Sequence, residues 1–439
     1  MQSLLLLSPA DPARPVAYQH GRAVSLSQFS AHVQAIARRL PPTGSMLNLC
    51  EDRYHFLAAF GAALNAGHPV LLPPSRAEQV VTEVGDAHAR SYRWQDEDVA
   101  AALLASPKQQ HGVNIEIPAS RTVMIACTSG STGQPRSYPK LWSSMHGTTA
   151  RNAAAIRRAL GIPDATIPAI VATVPPQHMY GMEFSILLPL IGGMAVHAGR
   201  PLFPADVALA LDELPPPRVL VSTPLHLRAL VESSQPFPET ALVVSATAPL
   251  DRELATAVET RLGGRLLEMF GSTETCAVAC RRTAIDDAWR AHEGVDFEPL
   301  ADGTRVSAPW FVEPILLQDI VELHDDRRFI VRGRSSDMIE VAGKRASLAD
   351  LTQRLLAVEG VRDAVLFQPQ PDSVATIRRL AALVVAPGCN ALQIRERLAA
   401  SVDPAFLPRP LLIVDALPRN ELGKLPRERL LEILKRARK

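Results

Sequence analysis

The chain has 439 residues, 47% hydrophobic and 21% charged, and its 46 basic and 45 acidic side chains leave a formal charge of +1. That length exceeds one ordinary hydrophobic core, and that composition excludes a disordered chain. The balance of charge excludes a global field that would draw nucleic acid or anionic lipid, so any charged ligand must be met locally.

In chain order, the opening "MQSLLLLSP" is too short an apolar run for a signal peptide and lacks a basic start; no later segment has the apolar length of a membrane span. Five cysteines, an odd number spread along the chain, do not resemble the framework of a small secreted domain. A soluble protein in a reducing, cytoplasmic compartment is expected. Cys276 and Cys280 sit one helical turn apart, but no second pair completes a zinc site.

Short β-rich runs then alternate with helical ones. "MLNLC" leads to "RYHFLAAFGAALNAG", "RVLVSTP" to "LHLRALVESS", and "TALVVSATAP" to "LDRELATAVETRLGG". The alternation predicts an α/β fold of mostly parallel sheets with helices, with ligands at the C-terminal ends of strands. Beyond Ser336 the texture changes to helix "LADLTQRLLAVEG", strands "VRDAVLF" and "RRLAALVVA", helix "ALQIRERLAAS", strand "PLLIVDAL" and a last helix. Residues 1–335 are therefore expected to form a large N-terminal domain and 336–439 a small α+β domain. The last helix, "PRERLLEILKRARK", reads as a packed terminal helix with a solvated basic face rather than a membrane-surface helix.

Functional signals lie in the loops. After the strand-like "TVMIAC" comes "TSGSTGQPR", where glycines let backbone N–H groups approach a ligand and hydroxyls add donors, as in loops that wrap phosphate. No lysine follows the last glycine, so the P-loop pattern is not met, and GxGxxG is absent. "MFGSTET" sets a hydroxyl, Thr273, beside a carboxylate, Glu274, which suits Mg²⁺. Further on come Asp319 in "QDIVEL", Arg334 in "VRGRSSDMIEVAGKR" and Lys424 in "NELGK".

These motifs, in this order, resemble those of the adenylate-forming superfamily of acyl- and aryl-CoA synthetases, luciferases and peptide-synthetase adenylation domains. The resemblance runs from about residue 120 to the C-terminus. It implies a reaction in which ATP and Mg²⁺ convert a carboxylate to an acyl-AMP, releasing pyrophosphate, before a thiol takes the acyl group.

It further implies residue roles. Thr128, Ser129, Gly130, Ser131, Thr132 and Gly133 would hold the β- and γ-phosphates, Thr273 the α-phosphate and Glu274 the metal. Ala246 and Thr247, within "SATAPL", would pass beside the adenine; Asp319 and Arg334 would take the ribose. Lys424 would bridge carboxylate and α-phosphate, brought in and withdrawn by rotation of the small domain near Ser336. His178, Tyr180 and Gly181, in "HMYGMEFS", fall beside the acyl pocket. An amino-acid substrate would need an acidic partner there, for which Glu183 is the one candidate.

Two departures stand out. Arg136 replaces the lysine that usually ends the phosphate loop, and Ser336 occupies a hinge position commonly acidic or lysine, although Asp337 follows.

The short length and the segment "LNLCEDRYHFLAAFGAALNAGHPVLLPPSR" are similar to the small ligases of xanthomonadin and aryl polyene pigment pathways. That similarity implies 3- or 4-hydroxybenzoate as substrate and an acyl carrier protein as acceptor. An aryl- or fatty-acyl-CoA ligase, and a nucleotide-binding module without chemistry, are the alternatives.

Overall fold

The computed structural model describes residues 2–7, 11–104, 115–128, 136–324, 327–334, 338–341, 344–369, 380–419 and 425–437. They divide into two compact units, Met1–Val295 with Ala308–Glu313, and Asp296–Ser307 with Pro314–Lys439. The expected boundary at residues 335 and 336 falls within the second unit, at positions outside the described residues, and stays a proposal about the hinge.

In the N-terminal unit, apolar runs dictate the main sheet. Ala169–Ala172, Arg218–Ser222, Leu242–Ser245 and Arg265–Ser272 lie side by side and parallel, with Ala195–His197 on the far side of Ala169–Ala172. Their side chains alternate between two cores. Ile170, Ala172, Val219, Val221, Leu242 and Val244 join the largest cluster, while Ala169, Val171, Leu220 and Val243 join a second. A strand buried on both faces needs such uninterrupted apolar sequence. Helices Pro204–Asp212, Pro224–Glu232 and Arg252–Leu262 supply residues to the second cluster.

A smaller sheet runs in the order Ser91–Trp94, Ser45–Asn48, Val70–Leu72, Thr122–Thr128, Arg136–Leu141, parallel except for its last pair. Between the sheets lie helices Leu26–Ala37, Arg53–Ala66 and Trp142–Leu160, which contribute to the largest cluster together with strands of both sheets. Helix Arg53–Ala66 is capped at one end by Asp52, which accepts the His55 N–H, and stopped at the other by left-handed Gly67.

The βα units expected from "MLNLC", "RVLVSTP" and "TALVVSATAP" are all present. So are the C-terminal elements: helix Leu348–Leu356, strands Asp363–Phe367 and Ala381–Val385, helix Ala391–Ala399, strand Leu411–Ile413 and helix Arg427–Arg436. That last helix packs Leu430 and Leu434 into a cluster with Phe367 and Leu383, leaving its charges outward. Among the described residues no helix is long and apolar enough to cross a membrane.

Candidate active site

The phosphate-loop candidate is a hairpin. Strand Thr122–Thr128 pairs antiparallel with Arg136–Leu141, with Thr128 opposite Arg136. Ser129, Gly130, Ser131, Thr132 and Gly133 lie outside the described residues, as does Lys424. Alternation along the returning strand puts Arg136, Tyr138 and Lys140 on one face.

The Thr-Glu motif is a second hairpin, between strands Arg265–Ser272 and Cys276–Arg281. Its turn is bound internally. The Ser272 hydroxyl oxygen accepts the N–H groups of Glu274 and Thr275 at 3.2 Å, and the Thr275 hydroxyl accepts the Ser272 N–H at 3.0 Å. Thr273 and Glu274 are half-buried at its tip. Cys276 and Cys280 lie on the strand, not on a helix, so they are separated by about 13 Å of extended chain and cannot share a metal.

The two hairpins meet at Glu274. The Lys140 ammonium donates to the Glu274 main-chain carbonyl, and Tyr138, on the same strand face, acts on the Glu274 carboxylate to favour its ionised form. Burial opposes ionisation of Glu274, but Ser272, Tyr138 and the charge of Lys140 outweigh it, and its pKa falls below the ordinary value.

Behind the turn lies a buried polar chain. Glu183 opens a π-helical turn, Glu183–Leu187, and its Oε2 accepts from Asn152 Nδ2 at 2.9 Å and from the Ala277 N–H at 3.0 Å. Asn152 Oδ1 in turn meets His292 Nε2 at 3.2 Å. Burial pushes Glu183 up to about 7, partly offset by Ala277, Asn152 and Lys140. Glu183 is therefore engaged by protein groups rather than open to a substrate ammonium.

Other candidates lie at the C-terminal edge of the parallel sheet, where such folds bind ligands. Ala246 and Thr247 follow strand Leu242–Ser245, and Thr247 holds a φ of +83°. His178 precedes the short helix Met179–Met182. The Tyr180 hydroxyl donates to the carbonyls of Ser222 and Val244, tying two strand ends together. A side chain at Gly181 would stand 2.0 Å from the Pro175 carbonyl oxygen, so only glycine fits that turn. Arg53, wholly buried, donates to the carbonyls of Ala172 and Val174 at 2.8 Å and to Ser185, which fixes the same edge.

In the C-terminal unit Asp319 and Arg334 stand opposite each other on paired strands, and Arg334 Nε donates to Asp319 Oδ1 at 3.1 Å. Thr304 donates to the Asp319 carbonyl at 2.6 Å. The sequence motifs thus do bring together the residues assigned to the ribose.

The AMP-binding enzyme family matches this chain over residues 44–297, more than half its length. The chain belongs to the AMP-binding enzyme family. This AMP-binding enzyme is 29% identical over 303 residues to a 4-coumarate–CoA ligase of Rhodobacter capsulatus, covering 68% of this chain and 73% of that one. It is 24% identical over 380 residues to a benzoate–CoA ligase of Thauera aromatica, covering 76% and 70% respectively. The fold matches o-succinylbenzoate CoA synthetase of Bacillus subtilis, solved with its acyl-adenylate intermediate, at a TM-score of 0.78, 15% identity and 95% coverage of both chains. It also matches ATP-bound MatB of Rhodopseudomonas palustris at 0.77, 17% identity and 98% coverage of both. The protein is an adenylate-forming acid–thiol ligase.

No group of three or more His, Cys, Asp or Glu side chains that could hold a metal occurs among the described residues. One ionised carboxylate, Glu274, fits Mg²⁺, which takes one or two protein oxygens and completes its shell with water and substrate phosphates. Sequence reasoning missed Tyr138, Lys140, Asn152 and His292.

Proposed function

We propose that this AMP-binding enzyme activates an aryl carboxylic acid, 3- or 4-hydroxybenzoate, and passes it to the phosphopantetheine thiol of an acyl carrier protein. The observation that carries the first half is the ionised Glu274, held on a bonded turn beside the phosphate-loop hairpin. Relatives named for 4-coumarate and benzoate support an aryl acid.

In the first step a carboxylate oxygen attacks the α-phosphorus, the bond to the bridging oxygen breaks, and pyrophosphate leaves. Positive charge is needed where the α-phosphate becomes crowded with negative charge. Lys424 would supply it between carboxylate and phosphate, with Thr273 donating to the α-phosphate and Thr128 to Gly133 holding the β- and γ-phosphates. Glu274 would hold the magnesium, which when bound neutralises phosphate charge. Asp319 would accept two ribose hydroxyls, steadied by Arg334. In the second step the thiolate attacks the acyl carbon and AMP departs, with the small domain turned so that Lys424 has withdrawn.

A second reading is favoured by the relatives' names: CoA, which carries the same phosphopantetheine thiol, as acceptor. The test is thioester formation with holo carrier protein and with CoA in parallel. Thioester on the carrier at a kcat/KM at least tenfold above that for CoA supports the carrier reading. The reverse preference overturns it.

A further inference from the structure

The Thr-Glu turn is more tightly constrained than an ordinary hairpin. Cys276 takes a φ of +61°, which a side chain rarely adopts, and a Cβ at Gly271 would lie 2.0 Å from the Cys276 carbonyl oxygen. The strand register slips between Phe270 and Gly271, and the Ala277 N–H donates to Glu183. A backbone held this way relaxes unless its surroundings over-determine it.

Two buried ionisable side chains do so, at two points of the turn. Lys140, 7% exposed, donates to the carbonyl of Glu274; Glu183, 3% exposed, accepts the N–H of Ala277. They come from the phosphate-loop hairpin and from a π-helical turn, a feature that recurs at functional sites. Desolvating a lysine and a glutamate costs more than packing apolar residues of the same volume, so stability alone does not account for them.

We propose that Lys140 and Glu183 are a positioning pair that clamps the Ser272–Ala277 turn from both sides and so aims the Glu274 carboxylate at nucleotide-bound magnesium. The proposal rests on the reading of Glu274 as the metal's protein ligand. Neither residue touches the reacting atoms. Their effect passes through the backbone of the turn, as outer-shell partners act on a metal ligand.

The test compares wild type with Lys140→Met, Lys140→Arg, Glu183→Gln and the Lys140→Met/Glu183→Gln double variant. ATP–pyrophosphate exchange is titrated with magnesium, and equilibrium binding of ATP is measured with and without magnesium. For Lys140→Met we expect exchange kcat to fall about 10- to 100-fold, the half-saturating magnesium concentration to rise about tenfold, and the acid KM to stay within about twofold. Lys140→Arg should recover most of the loss. The double variant should lose less than the product of the two single losses, because both residues act through the same turn. If Lys140→Met does not fold, Lys140→Arg and the isosteric Glu183→Gln carry the comparison. Exchange and magnesium dependence unchanged in every folded variant overturn the proposal. So does a change in acid KM equal to that for magnesium, which marks general loosening. Absence of exchange by wild type with any acid sinks the ligase substrate reading instead, and the magnesium-dependent gain in ATP affinity then decides the clamp: equal gains in wild type and variants overturn it.

Discussion

His292 is buried and held neutral, its pKa pushed down to about 4 by burial and by Arg158 and Arg151. Two hydrogen bonds away, through Asn152, Glu183 is pushed up to about 7. The two shifts act on stability in opposite directions. Between about pH 4.5 and 6.5 the unfolded histidine binds a proton that the folded one does not, so its contribution makes stability rise with pH. Over the same window folded Glu183 keeps a proton that the unfolded chain has lost, so its contribution makes stability fall. Each slope reaches at most about 1.4 kcal/mol per pH unit, and in wild type they largely cancel. Urea unfolding at pH 5.0 and 6.5 should therefore show a steeper rise with pH for Glu183→Gln than for wild type, and a shallower or reversed one for His292→Gln. Identical slopes in all three would contradict this assignment of protons. None of it was legible in the sequence, where Glu183 stood out only as a partner for an amine. The burial that sets both pKa values comes from segments far apart in the chain.

At the scale of elements, the strands "VLVS" and "LVVS" and their helices were legible because an apolar run between turn residues has few other fates. The hairpin return at Arg136–Leu141 was not, since "RSYPKL" carries three polar side chains and a proline, which a strand tolerates at the sheet's edge. Nor was the tightness of the Thr-Glu turn, although Gly271 stood in the motif. Gly271→Ala would drive a methyl into the Cys276 carbonyl, where backbone must move. We expect a loss of about 1–3 kcal/mol in stability and a fall in exchange activity larger than the stability loss explains. A variant with wild-type melting and wild-type exchange would show that the turn is not held as described. Gly147 gives a matched case away from the site. Its Cβ would lie 2.3 Å from Trp310 Cγ, where Arg151 stacks 4.6 Å from the ring and Ser144 donates to the Trp310 carbonyl at 2.6 Å. Gly147→Ala should free the Ala308–Glu313 segment to faster hydrogen exchange and leave ATP binding within about twofold of wild type. Unchanged exchange protection there would contradict that packing.

For the whole molecule, the order of motifs carried the superfamily, and the family match and fold agree with it. The acceptor and the acid were less legible, because no single motif encodes which side chains from separate segments come together around a substrate. With a net charge of +1, recognition of an acidic carrier must come from a local patch, so raising salt should slow loading of a carrier protein more than loading of CoA. Equal salt dependence would argue against a carrier. The central claim, acyl-adenylate formation from an aryl acid, is tested most directly by ATP–pyrophosphate exchange. Benzoates, cinnamates, fatty acids and amino acids are compared, using wild type and Lys424→Ala. Exchange greatest with hydroxybenzoates, and about a hundredfold or more weaker in Lys424→Ala, is the expected result. No exchange with any acid, or wild-type exchange in Lys424→Ala, would contradict it.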